Sequence, residues 1–147
     1  MSSPITNCAT RRSASRAAAI TDRLIALYGS LRDQRVQRQL GLQHRLRRLS
    51  ACRIEGHLYD LGDYPGLVPG PGVVIGELYG VLDDHALAAM DAFEDFDSAR
   101  PRNSLYLRTW RRLQRPAVDC WVYLYNGSVA GRPRVPGGDW LRYRRGA

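Results

Sequence analysis

The sequence contains no lysine: every one of its 22 basic residues is arginine. A chain without lysine cannot form a lysine Schiff base, use a P-loop lysine or hold pyridoxal phosphate through a lysine. Cysteine is also scarce, since Cys8, Cys52 and Cys120 are far apart and form no C-x-x-C pair. Neither a disulfide framework nor a zinc knuckle is indicated, so we expect a reducing, cytoplasmic setting and buried thiols rather than a nucleophile. No apolar stretch is long enough to cross a bilayer, so no membrane partner is expected.

The three histidines do not indicate a metal site. His44, His57 and His85 form no H-E-x-x-H motif and have no cysteine or carboxylate pair at ligand spacing. We therefore expect no metal and no cofactor. Each histidine is interpreted as a solvated or hydrogen-bonded structural residue.

The net charge of +8 raises the question of a nucleic-acid partner, but the charge is strongly segregated along the chain. Residues 54–97 contain ten acidic residues and no arginine, whereas residues 98–147 contain eleven arginines and two acidic residues. Carboxylates of the acidic middle segment are expected to pair with the arginines on either side. Nucleic-acid binding is therefore disfavoured, and it remains a third hypothesis that predicts a steep dependence on salt.

The length of 147 residues suits one domain, which we assign to residues 22–147. Residues 1–21 contain serine, alanine and arginine but no acidic residue, a composition that also occurs in organellar transit peptides. Because the same arginine bias runs through the whole chain, we interpret this segment as a disordered basic tail.

Alternation and turn signals predict an α+β protein in which several strands form a barrel or a curved sheet with helices on its flank. A loop rich in glycine and proline is predicted over 60–72, and helices are predicted over 33–47 and 83–94. The predicted strands are 23–28, 51–60, 73–81, 104–113 and 118–125.

The first strand ends in the most informative turn of the chain. Leu24 to Leu27 suit a strand that is buried on both faces, and Gly29 and Ser30 follow it directly. Backbone N–H groups at such a turn can hold an anion or a developing oxyanion. Ser30 lacks the second glycine of a G-x-S-x-G elbow, so it is interpreted as a ligand contact rather than a nucleophile.

One carboxylate continues an apolar helix face. Leu87, Met90 and Glu94 are spaced i, i+3 and i+7, and Phe93 and Phe96 flank the glutamate. Burial among these side chains would raise the pKa of Glu94 toward the range useful for proton transfer. From the pattern alone, the more common outcome is a solvated carboxylate at a helix end.

A set of motifs in fixed order makes the chain resemble the gamma-glutamylcyclotransferase-like (AIG2-like) family over about residues 23–141. The turn Tyr28-Gly29-Ser30-Leu31 comes first, and Met90-Asp91-x-x-Glu94 lies on the second predicted helix. The other motifs are Gly56-x-Leu58-Tyr59-Asp60, Tyr64-Pro65, Val74-x-Gly76-Glu77-Leu78-Tyr79, Tyr106-x-Arg108, the aromatic strand Trp121 to Tyr125, and Gly138-Asp139-Trp140. The resemblance implies a small mixed β-barrel of five to seven strands with flanking helices and a cavity at one end.

The resemblance also implies an activity. A cyclotransferase of this family would convert a γ-glutamyl amine or peptide to 5-oxoproline and a free amine, without a cofactor. The backbone of Tyr28, Gly29, Ser30 and Leu31 would bind the glutamyl group, and Glu94 would be the acid and base. With the resemblance included, we favour this catalytic interpretation of Glu94.

Other residues keep two interpretations. Tyr106, Tyr123 and Tyr125 are either substrate contacts in the cavity or core aromatics of their strands. Arg108 and Asp91 are interpreted as ion-pair partners rather than catalysts. One departure from the family is an aspartate, Asp95, directly after the glutamate, where members often have glycine. It keeps open a second hypothesis, a non-catalytic module that binds a small ligand on the same barrel.

Overall fold

The computed structural model describes residues 23–146. The tail assigned to residues 1–21 and the thiol of Cys8 lie outside the described residues, so both expectations stay predictions. The strands and helices, in chain order, are β1 (Leu24–Leu27), α1 (Gln34–Gln39), β2 (Leu46–Asp60), β3 (Pro65–Val81), α2 (Asp84–Phe93), β4 (Tyr106–Arg112), β5 (Asp119–Tyr125) and α3 (Trp140–Gly146).

The five strands form one mixed sheet in the order β2-β3-β1-β5-β4. β1 lies at its centre, antiparallel to β3 and parallel to β5. The predicted α+β class is thereby confirmed, but the sheet is open, because β2 and β4 do not pair with each other within residues 23–146. The nearest approach to closure is at Arg53 of β2, whose N–H donates to the carbonyl oxygen of Arg115, after β4, at 2.7 Å.

The four residues of β1 confirm the prediction of a strand buried on both faces. Ile25 and Leu27 pack into one apolar cluster, while Leu24 and Ala26 pack into a second cluster on the opposite face of the sheet. Because side chains alternate along a strand, a short central strand can join both halves of the core. This places the end of β1 in the interior of the protein.

The helix predicted over 33–47 is wrong in its length. α1 covers only Gln34–Gln39 and is followed by Leu40 as its C-cap and by Gly41, whose φ of 71° lies in the left-handed region that favours glycine. The N–H of Leu42 donates to the carbonyl oxygen of Gln37, which completes a helix-ending turn. Residues 40–45 form a turn, and Leu46 then begins β2, so only the last two residues of the predicted helix are in a strand, where they pair with β3.

The loop predicted over 60–72 is also wrong. Only 61–64 connect the strands, and Pro65 to Val68 pair with β2 in register. The ladder breaks between Glu55 and His57 of β2, and the residues between Val68 and Val73 bulge out there. Proline donates no backbone hydrogen bond, so it fits a bulge or a strand start where no ladder bond is needed.

The predicted pairing of the acidic middle segment with flanking arginines is confirmed. Asp91 binds Arg108 with an Nε–Oδ1 distance of 2.8 Å, and the sequence interpretation of both residues as ion-pair partners is correct. Four further pairs follow the same pattern, namely Arg23 with Asp84, Arg45 with Asp83, and both Arg32 and Arg48 with Glu77. Four of the ten acidic residues in 54–97 therefore pair with arginines outside that segment.

Candidate active site

The turn after β1 is shaped by a close contact with the start of β3. A Cβ atom on Gly29 would lie 3.0 Å from Cγ of Pro65. Ser30–Arg32 then form a single 3-10 turn, and Leu31 is buried. The first N–H groups of such a turn have no acceptor within it. The chain therefore brings backbone donors to the end of a buried strand, where a side chain at Gly29 would crowd Pro65.

Glu94 is placed by the way α2 ends. α2 begins after Asp83, which caps the helix because its side chain accepts a hydrogen bond from the N–H of Ala86 at 2.9 Å. It ends with Glu94 as its C-cap and with Asp95 at a φ of 54°. The N–H of Phe96 reaches back to the carbonyl oxygen of Asp91 at 2.8 Å. This ending turn directs the chain so that Glu94 borders the interior.

Asp95 has a left-handed backbone conformation, with a φ of 54°, that favours glycine. We expect Asp95→Gly to raise the free energy of unfolding by about 0.5–1 kcal/mol, because glycine adopts this conformation without crowding its Cβ. Urea denaturation measures the change. The matched control Ala92→Gly, inside α2, is expected to lose about 1 kcal/mol. A loss of stability in both variants would contradict this explanation.

A cavity of about 220 Å³ lies between this turn and the end of α2. Its wall contains residues 26–31 on one side and Glu94 on the other, so the predicted cradle and the predicted acid and base share one cavity. The aromatic side chains that line it are those of Tyr28, Tyr64, Phe93, Tyr106 and Tyr123.

The carboxylate of Glu94 is held in an environment that disfavours its charge. Burial, and secondarily the negative charge of Asp91, raise the pKa of Glu94 from 4.5 to about 7. Among residues 23–146, no hydrogen-bond donor or cation binds its side chain. A carboxyl group with a pKa near neutrality can both accept and donate a proton at physiological pH.

Three tyrosine hydroxyl groups at the cavity donate hydrogen bonds within the protein. Tyr123 donates to Oδ1 of Asp91 at 2.6 Å, and Tyr28 donates to the carbonyl oxygen of Tyr123 at 2.6 Å. Tyr106 donates to the carbonyl oxygen of Pro65. Burial is the main cause that raises the pKa of all three phenols above the usual range. These phenols are therefore neutral, and they hold the cavity wall in place.

Tyr125 lies apart from the other predicted contacts. It is not among the residues that line the cavity, and its ring packs edge-on against Tyr106 with centroids 5.7 Å apart. Its role as a substrate contact stays a prediction. The structure brings together the turn residues, Glu94, Tyr106 and Tyr123, and it adds Asp63, Tyr64 and Phe93, which the sequence reasoning did not assign to the site.

Two of these additions carried a signal in the sequence. Tyr64 belongs to the Tyr64-Pro65 motif, and Phe93 directly precedes Glu94. Asp63 carried none, because an aspartate in a connection between strands is ordinary. Its place at the cavity follows only from the position of the β2–β3 connection.

The thiols and possible metal ligands do not contribute to this site. Cys52 and Cys120 are buried, and burial raises the pKa of each thiol to about 12, so neither is a thiolate. Within the described part of the chain, no group of three or more histidine, cysteine, aspartate and glutamate residues could hold a metal ion. None of the described helices has the length and apolarity needed to cross a membrane.

The fold and the cavity define a class: α+β proteins in which a partly buried carboxylate faces the turn at the end of a central strand. Within that class, the family model for "Gamma-glutamyl cyclotransferase, AIG2-like" matches residues 25–142. The "Gamma-glutamylcyclotransferase family protein YtfP" of Escherichia coli K12 is 37% identical over 118 residues, which cover 80% of this chain and 95% of that protein.

Solved structures agree with this match. The solution structure of Escherichia coli ytfP has a TM-score of 0.61 at 36% identity, with 80% of this chain and 96% of that chain covered. An AIG2-like protein from Mus musculus has a TM-score of 0.62 at 24% identity, covering 80% of this chain and 87% of that chain, which shows a shared fold. This chain belongs to the gamma-glutamylcyclotransferase, AIG2-like family, as its motifs predicted.

Proposed function

We propose that this protein is a cyclotransferase that converts a γ-glutamyl amine or peptide into 5-oxoproline and a free amine. The observation that carries the proposal is Glu94, a carboxyl group with a pKa of about 7 and no partner among the described residues, in a cavity it shares with the Gly29 turn. Membership of the family supports the same reaction. The unpaired thiols of Cys52 and Cys120 suit the reducing cytoplasm in which we place it.

The reaction needs no second substrate. The α-nitrogen of the glutamyl group attacks its own γ-carbonyl carbon, so a C–N bond forms and closes a five-membered ring. The amide C–N bond to the leaving nitrogen then breaks. The α-ammonium loses two protons as it becomes the lactam N–H, and the leaving nitrogen gains two as it becomes a free ammonium. No net proton is exchanged, so one group that takes and returns protons suffices.

Glu94 is our candidate for this group. As a carboxylate it would accept a proton from the α-ammonium, and as a carboxylic acid it would protonate the leaving nitrogen. A pKa of about 7 leaves both forms populated near neutral pH. The buried setting of the carboxylate keeps water from competing for these transfers.

The turn after β1 would hold the negative charges of the substrate. Among residues 23–146, no arginine or histidine lines the cavity, so the glutamyl α-carboxylate and the developing oxyanion require other donors. Gly29, Ser30 and Leu31 line the cavity, and we propose that their backbone N–H groups are these donors. Packing of the bound glutamyl chain against Tyr28 and Tyr106 would favour the folded conformation in which the amine reaches the carbonyl.

The test incubates the full chain with a panel of γ-glutamyl amino acids, γ-glutamyl peptides and γ-glutamyl amines, and measures 5-oxoproline by mass spectrometry. We expect 5-oxoproline and free amine in equal amounts from at least one member. The variant Glu55→Gln, at an exposed position on β2, is expected to match the wild-type rate. Saturable binding of panel members without any 5-oxoproline would instead support the non-catalytic ligand-binding module.

A further inference from the structure

The side chain that ends the turn after β1 is held by two carboxylates. Arg32 is the last residue of the 3-10 turn, and its Nε lies 3.4 Å from Oε2 of Glu77, while its Nη1 lies 3.0 Å from Oδ1 of Asp139. Glu77 is on β3, opposite Leu27 of β1 in the register, and Asp139 directly precedes α3. One guanidinium group therefore connects the turn to two elements that are distant in the chain.

This arginine takes no part in lining the cavity. Among residues 23–146, Gly29, Ser30 and Leu31 line it, whereas Arg32 and its two carboxylate partners do not. The side chain of Arg32 is only 11% exposed, so its ion pairs are weakly screened by solvent. Arginine suits this place because its planar guanidinium group presents several donors in a fixed fork. In the proposed reaction, Arg32 would therefore act through the backbone of the turn rather than by contact with a substrate.

A second polar side chain holds the same turn. Gln37 of α1 is buried, and its Nε2 donates to the carbonyl oxygen of Leu31 at 2.7 Å and to the hydroxyl oxygen of Tyr79 at 3.1 Å. Tyr79 lies on β3, two residues after the glutamate that binds Arg32. β3 therefore anchors the end of the turn through two separate contacts.

The turn needs such anchors because its own hydrogen bonds are few. Ser30–Arg32 form a single 3-10 turn, and 3-10 hydrogen bonds have poorer geometry than those of an α-helix. Gly29, which precedes the turn, adds backbone freedom. Donors stabilise a developing charge effectively when they are already held in place before the reaction. Small displacements are costly, since a misplacement of about 1 Å can lower a rate about a hundredfold.

We infer that Arg32 is a positioning residue: through its ion pairs with Glu77 and Asp139, it fixes the backbone N–H groups of the turn where they receive the negative charges of the substrate. This inference rests on the proposed function and adds the residue that holds its anion-binding turn. Glu94 and Arg32 then have separate tasks. Glu94 moves protons, and Arg32 determines where the negative charges are held.

The kinetics of Arg32→Met test the inference, because methionine keeps an apolar stem of similar shape and removes both ion pairs. We expect kcat/KM for 5-oxoproline formation to fall about tenfold to a hundredfold, the size expected when donors are displaced but not removed. Burial and Asp91 raise the pKa of Glu94, so the acidic limb of kcat/KM should keep its position. A limb that moves would show that the substitution disturbs the carboxylate rather than the turn, and it would overturn the inference.

Arg48→Met is the matched control. Arg48 lies on β2, outside the turn, and binds the other oxygen of the same glutamate, with an Nε–Oε1 distance of 3.0 Å to Glu77. The control removes the same kind of group from the same carboxylate, and we expect it to keep the wild-type kcat/KM. Equal losses in the Arg32 and Arg48 variants, or wild-type kcat/KM in Arg32→Met, would contradict a positioning role.

Asp139→Asn is a milder second variant, which keeps the size of the side chain and weakens one anchor. We expect a smaller fall in kcat/KM than in Arg32→Met, again with an unmoved acidic limb. In the Arg32→Met background it should cause no further fall, because two changes that break one contact are not additive. Wild-type kcat/KM in Asp139→Asn, or a full second loss in the double variant, would overturn the inference even if Arg32→Met fails to fold.

Nuclear magnetic resonance tests the inference without turnover. Backbone amide relaxation of the full chain measures how rigid the N–H groups of Gly29, Ser30 and Leu31 are. We expect order parameters of about 0.85 in the wild type and in Arg48→Met, and below about 0.6 in Arg32→Met, the values of rigid and of flexible backbone. Unchanged order at these three amides in Arg32→Met would overturn the inference.

Failure of the proposed function gives a different result. In that case the wild type forms no 5-oxoproline from any member of the panel, whereas the relaxation measurement still decides whether Arg32 fixes the turn. An active wild type whose Arg32→Met variant is equally active and equally rigid would leave the proposed function intact and remove only the role of Arg32.

Discussion

Glu94→Gln is expected to lower kcat/KM for 5-oxoproline formation about a thousandfold, within the range that one positioned acid and base contributes. Glutamine keeps the size and polarity of the side chain but can neither accept nor return a proton. The panel assay measures the loss, with Glu55→Gln as the control for the same chemical change on the surface. A variant that retains wild-type kcat/KM would remove Glu94 from the role of acid and base.

The same variant should become more stable, which separates lost chemistry from lost folding. The pKa of Glu94 is 4.5 in an ordinary setting and about 7 in the fold. The folded protein therefore holds this proton more tightly than the unfolded chain, so the stability it contributes is present below pH 4.5 and lost as pH rises through 7. Glutamine resembles the protonated form, and we expect Glu94→Gln to exceed the wild type by up to about 3 kcal/mol at pH 8.

Chemical denaturation at pH 8 and at pH 4.5 measures this difference, which should nearly vanish at the lower pH. The pH dependence of kcat/KM should agree with it. Activity is expected to rise tenfold per pH unit below the pKa of Glu94 and to level off above about pH 7. A rising limb centred near pH 4.5 would show that the free carboxyl group is not held in a desolvated setting.

Asp91→Ala is expected to lower the free energy of unfolding by about 3–5 kcal/mol, because it leaves a buried charge without its partner. The side chain of Arg108 is only 14% exposed, and Asp91 is its bidentate partner. The substitution also removes the acceptor of the Tyr123 hydroxyl group. Thermal and urea denaturation measure the loss.

An exposed pair on the same sheet is the matched control. Asp119 pairs with Arg112 at 3.4 Å, and the arginine side chain is 63% exposed, so Asp119→Ala is expected to cost less than about 1 kcal/mol. Adding Arg108→Met to Asp91→Ala should restore part of the lost stability by removing the unpaired cation. Equal losses at the two pairs, or no recovery in the double variant, would contradict the account.

Asp91 affects the pKa of Glu94 as well as the stability of the fold. Its negative charge is the second cause that raises the pKa of Glu94, after burial. In any Asp91 variant that folds, the acidic limb of kcat/KM should therefore shift to lower pH. Asp91 is the charged residue that acts on Glu94, and both Asp91 and Arg108 act on Tyr123. The neighbouring phenols of Tyr28, Tyr106 and Tyr123 remain neutral.

Local sequence signals predicted the parts of the site that depend on neighbours in the chain. The run from Leu24 to Leu27 indicated a doubly buried strand, because four consecutive apolar residues leave no face for water. The spacing of Leu87, Met90 and Glu94 indicated a shared helix face, and α2 contains the first two of them and ends at the third. Each of these signals lies within one or two turns of the backbone.

The wrong secondary-structure predictions concern segments whose conformation depends on residues distant in the chain. Residues 42–47, which include helix-forming arginine and leucine, form a turn and the start of β2, and the segment from Pro65, which has the composition of a loop, is a paired strand. Their conformation is decided by partners in β2 and β3, so composition within each segment was not informative. The position of Tyr125 behind Tyr106 likewise depends on partners distant in the chain, through the pairing of β4 with β5.

What the sequence determined by itself was the family, the central strand with its turn, the helix that carries Glu94, and the pairing of an acidic segment with arginines. The tertiary structure alone decided that Gly29 packs on Pro65, that Glu94 has a raised pKa, and that Asp63 borders the same cavity. The reason is physical: turns and caps are stabilised by neighbours in the chain, whereas a cavity and its electrostatics depend on segments that only packing brings together.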